Sequence, residues 1–87
     1  MTPALRALKR HEIRTLFNLA IKWLDAGDRD IAFECLTKIQ GMMAAFHDLD
    51  VNLYAYAKLA ETAFITYAQT RAVSPFMHTA CSEARVQ

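Results

Sequence analysis

Three histidines and two cysteines, His11, His47, His78, Cys35 and Cys81, are the residues of this 87-residue chain best suited to metal binding, general-base or nucleophilic work. Helical zinc sites pair two histidines one turn apart, and zinc ribbons pair cysteines as C-x2-C. Neither spacing occurs here. His47 is followed directly by Asp48, which reads as a pair at a helix end. Cys35 falls on an apolar helical stripe, where a buried thiol is inert, and nothing beside Cys81 marks it as activated. No G-x-S-x-G turn and no glycine-rich phosphate loop is present. The neighbouring carboxylates Asp28 and Asp30 are placed for helix capping rather than for acid–base work. The expectation is a chain with no catalytic residue, no metal and no cofactor.

Basic residues offer a second kind of chemistry. Arg6, Arg10 and Arg14 step by four along one flank of a helix, with Lys9 nearby. Guanidinium groups in such a row suit phosphates through bidentate hydrogen bonds. No recognition helix follows, however, and no aromatic residues are interleaved with these arginines. The plainer expectation is a solvated face, or one that answers the acidic residues of 25–50 within or between chains. Nucleic-acid binding through this flank is the alternative reading.

The elements that position these residues must be helices. The chain has only 2 Gly and 2 Pro, and no segment alternates as a strand. Its length suits a single domain, residues 1–87. Hydrophobic residues make up 54% of it, against about 45–50% in ordinary domains. That excess in a small chain points to a partner, another protein or a second copy. The net charge of +1 gives no global pull towards nucleic acid or anionic membrane. The charge is unevenly spread: the first quarter is basic, and 25–50 is acidic. No apolar run approaches the length of a membrane span, no secretory signal pattern is found, and the cysteines are too few for a disulfide scaffold. A cytoplasmic protein without membrane contact is expected.

Periodicity and punctuation predict helices at about 3–25, 30–46, 51–71 and 75–84. Thr2-Pro3 is a cap followed by a good first helical residue. Leu5, Leu8, Ile13, Leu16, Phe17, Leu19, Ala20, Trp23 and Leu24 then recur at helical steps, and Gly27 suits a left-handed stop. Asp28 or Asp30 caps the second helix, whose stripe includes Ile31, Ala32, Cys35, Leu36, Ile39, Met42, Met43 and Phe46. Gly41 is its weak point and permits a bend or a close helix approach. Asp48 or Asp50 caps the third, and Ser74-Pro75 opens a short fourth carrying Phe76, Met77, Ala80, Cys81 and Ala84. The expected fold is all-α, a three-helix antiparallel bundle with a short C-terminal fourth helix.

Within the first hairpin, Leu16, Leu19, Ala20 and Trp23 fall on the W-x2-L-G-x2-Y spacing, Gly27 at the turn, and Ala32 with Leu36 on A-x3-F. Residues 16–44 thus resemble a single degenerate tetratricopeptide-like helix-turn-helix, which would imply protein binding. The departures are Leu16 for Trp, Ala20 for Gly, Trp23 for Tyr, Leu36 for Phe, and a missing closing Pro. No second unit follows, and a solenoid needs about three or more. The same spacing also serves an ordinary corner between two packed helices, which is the plainer reading.

Several bulky residues fall off the main stripes, among them Phe33 on the second helix and Tyr54 and Ile65 on the third. They either pack against the fourth helix or form an exposed apolar contact surface. Together these features lead to the expectation of a small non-catalytic protein-interaction module, an adaptor or inhibitor of a larger assembly, that also self-associates.

Overall fold

The computed structural model describes residues 2–77, and within them the backbone forms three long helices. These are α1 (Pro3–Asp25), α2 (Arg29–Phe46) and α3 (Val51–Thr70). Each begins where a side chain satisfies the free N–H groups of a first turn. Thr2 Oγ1 accepts from the Leu5 amide at 3.2 Å, and Asp28 Oδ1 from the Ile31 amide at 3.1 Å. Asp50 Oδ1 accepts from the Asn52 and Leu53 amides, both at 3.1 Å. Of the alternatives the sequence leaves open, Asp28 and Asp50 therefore do the capping.

The first corner closes as expected at Gly27. Its amide donates to the Leu24 carbonyl at 3.1 Å, and the Asp28 amide donates to the Trp23 carbonyl at 2.9 Å. This pair of bonds requires a left-handed residue just past the helix, and Gly27 has φ +91°. At the end of α3 the same region is occupied by Arg71, φ 61°, whose amide donates to the Tyr67 carbonyl at 2.8 Å. Ser74-Pro75 opens another helical turn, Ser74 Oγ accepting from the Met77 amide at 3.4 Å. The rest of the expected fourth helix, with His78 and Cys81, lies outside the described residues.

Cross-links between the helices give their directions. Arg6 meets Asp50 at the start of α3, and Asp25 meets Tyr67 and Arg71 at its end, so α1 and α3 run parallel. Phe33 meets Phe64 while Gln40 meets Glu61, so α2 runs antiparallel to them. Every helix packs on the other two, the up-down-up arrangement of a three-helix bundle.

A single register organises the core. On α1 it runs Arg6, Arg10, Ile13, Phe17, Ala20, Leu24, in alternating steps of four and three. The last four are buried, as are Leu53, Ala57, Ala60 and Phe64 in the matching register of α3. Ala20, Ala32, Ala57 and Ala60 are fully buried, which lets the helices approach, while Phe17 and Phe64 fill the largest volumes. Several expectations are corrected by this register. Leu5, Leu8 and Leu19 belong to the outer sides of α1 and are 41%, 53% and 41% exposed, whereas Ile21 is buried. Gly41 makes no close approach: a Cβ there would meet nothing within 4 Å.

Candidate interaction surfaces

The core register of α1 explains where its arginines go. Arg6 and Arg10 continue the register past Ile13 towards the N-terminus, so their side chains reach α3 while staying partly in solvent, Arg10 being exposed. Arg6 Nε donates to Asp50 Oδ2 at 2.7 Å, and the Arg10 guanidinium lies 4.6 Å from the centre of the Tyr56 ring. Arg14, one step aside, donates from Nη1 to the Tyr56 hydroxyl at 3.5 Å. Among the contacts that hold the predicted basic row against α3 are the Arg6–Asp50 ion pair, the Arg10–Tyr56 cation–π contact and the Arg14–Tyr56 hydrogen bond.

Asp50 is the centre of this end of the bundle. Only 3% of its side chain is exposed. The hydrogen bond from Arg6 holds its carboxyl below the usual carboxylate range, helped by the Leu53 and Asn52 amides and opposed by desolvation. Its two chain neighbours do the opposite: Leu49 and Val51 are both 72% exposed. Leu49 stands just before the cap, where an apolar residue often packs on the fourth helical residue, here Tyr54. At that exposure Leu49 stays largely in solvent, and Tyr54 meets the His47 ring edge-on at 5.1 Å. The corner 47–51 therefore presents two large apolar side chains on either side of a fixed, ion-paired carboxylate. Leu5, the neighbour of Arg6, adds a third at this end.

The three predicted contact residues are not assembled into one surface. Phe33 is 39% exposed, edge-on to Phe64 at 5.4 Å, with the Arg29 guanidinium 5.6 Å above its ring. Ile65, 36% exposed, belongs to the same half of the molecule. Tyr54 is half-buried at the opposite end, beside the C-terminal turn of α2. Sequence reading missed Leu49 and Val51 because neither interrupts a helical stripe. The available signal was the corner itself, "DLDV", which sets apolar residues on both sides of a capping carboxylate.

Elsewhere on the molecule, Tyr67 donates its hydroxyl to Asp25 at 2.7 Å, and Arg71 Nη1 reaches the same carboxylate oxygen at 3.3 Å. The hydrogen bond to Asp25 raises the phenol above its ordinary range. Phe76 packs edge-on against Phe17 and Tyr56, at 5.1 and 5.2 Å. It also walls an open apolar groove of about 330 Å³ with Leu59, Ala63, Thr66 and Pro75. Burial pushes the Cys35 thiol up, away from the reactive thiolate. Among the described residues no group of three or more His, Cys, Asp or Glu side chains is gathered to hold a metal ion. No helix among them is long and apolar enough to cross a membrane.

The chain matches no family model, and no curated protein or solved structure proves similar to it.

Proposed function

We propose that this chain is a small non-catalytic protein-interaction module, an adaptor or inhibitor of a larger assembly, which also pairs with a second copy of itself. The observation that carries this reading is the exposure of Leu49 and Val51 around the fixed Asp50. The backbone of this corner is already tied by the Asp50 cap, so less backbone ordering is left to lose when a partner covers these side chains, and more of their burial is retained as binding free energy. The outward Phe33 and Ile65 supply further apolar surface at the other end. The compartment proposed is the cytoplasm, and no cofactor is called for.

Nucleic-acid binding through Arg6, Arg10 and Arg14 has weaker support, because all three side chains already have contacts on α3. The two readings separate in affinity capture of the tagged chain, with and without nuclease, beside the Leu49→Asp/Val51→Asp variant. A stoichiometric protein that survives nuclease and is lost in the variant is the expected result. Partners that vanish with nuclease, and whose binding weakens steeply with salt, would favour the arginine flank instead.

A further inference from the structure

We draw no further inference here: the strongest candidate, the apolar groove that Leu59, Ala63 and Thr66 of α3 form with Pro75 and Phe76, is an unpartnered apolar face, and nothing in the structure shows what covers it.

Discussion

Asp50, the buried polar residue among the described ones, caps α3, fixes Arg6 and separates two exposed apolar neighbours. Its carboxyl is more acidic in the folded chain than in the unfolded one, where about 3.9 is usual. The unfolded state therefore takes up the proton first as pH falls. Asp50 contributes its full stabilisation above about pH 4, and loses it as pH drops through the lower folded value. Asp50→Asn removes the charge but keeps a capping oxygen. Thermal midpoints measured from pH 7 to pH 2.5 should thus fall less steeply below about pH 4 for the variant than for the parent chain; parallel curves would contradict the Arg6–Asp50 pairing. The arginines show why residue-scale roles were only half legible. Their four-residue spacing was plain, but spacing cannot say which side of the helix faces a neighbour. That becomes visible once Arg6 and Arg10 are placed in register with Ile13 and Phe17. Reversing Arg10 and Arg14 to Glu should lower the melting temperature by several degrees, because the contacts with Tyr56 are lost. An unchanged melting temperature, together with lost nucleic-acid affinity, would mark a free phosphate-binding flank.

At the scale of elements, the helices and corners were largely readable because caps and breakers are local chemistry. Thr2-Pro3, Gly27 and Ser74-Pro75 act through bonds to residues a few positions away, and the structure places all of them as the sequence implies. Burial was less readable. Leu8 and Leu19 fit a helical stripe, yet the actual seam is narrower and turns them outward. The two glycines make this contrast testable. Gly27 holds a left-handed conformation, so Gly27→Ala should cost about 1–2 kcal/mol from the steric clash of its Cβ with backbone. Gly41 sits in a helix with open space around it, so Gly41→Ala should stabilise by about 0.5–1 kcal/mol. Urea denaturation of the two variants gives both signs in one experiment. A destabilising Gly41→Ala would mean that α2 needs the bend the sequence allowed for.

The whole molecule is a bundle whose α1–α3 seam is apolar in the middle and closed at each end by charge: Arg6 with Asp50, and Asp25 with Tyr67 and Arg71. The two end contacts fall at matching heights on the parallel helices, the Arg6–Asp50 pair being the more buried of the two. Ala20 and Ala32, the small residues of the hairpin 16–44, are both fully buried in this bundle. Fold class was legible because helical periodicity, caps and breakers mark the elements even where they misplace single side chains such as Leu8 and Leu19. Function was not, because a contact surface consists of side chains that the fold leaves over, and only the assembled bundle shows which those are. The most direct test of the interaction reading is light scattering coupled to size exclusion, with the chain from micromolar to millimolar concentration, alone and as Leu49→Asp/Val51→Asp. The account predicts a mass above that of one chain for the parent, and the mass of one chain for the variant with its helicity unchanged. A parent chain that stays at the mass of one chain throughout, and binds no apolar dye, would contradict it.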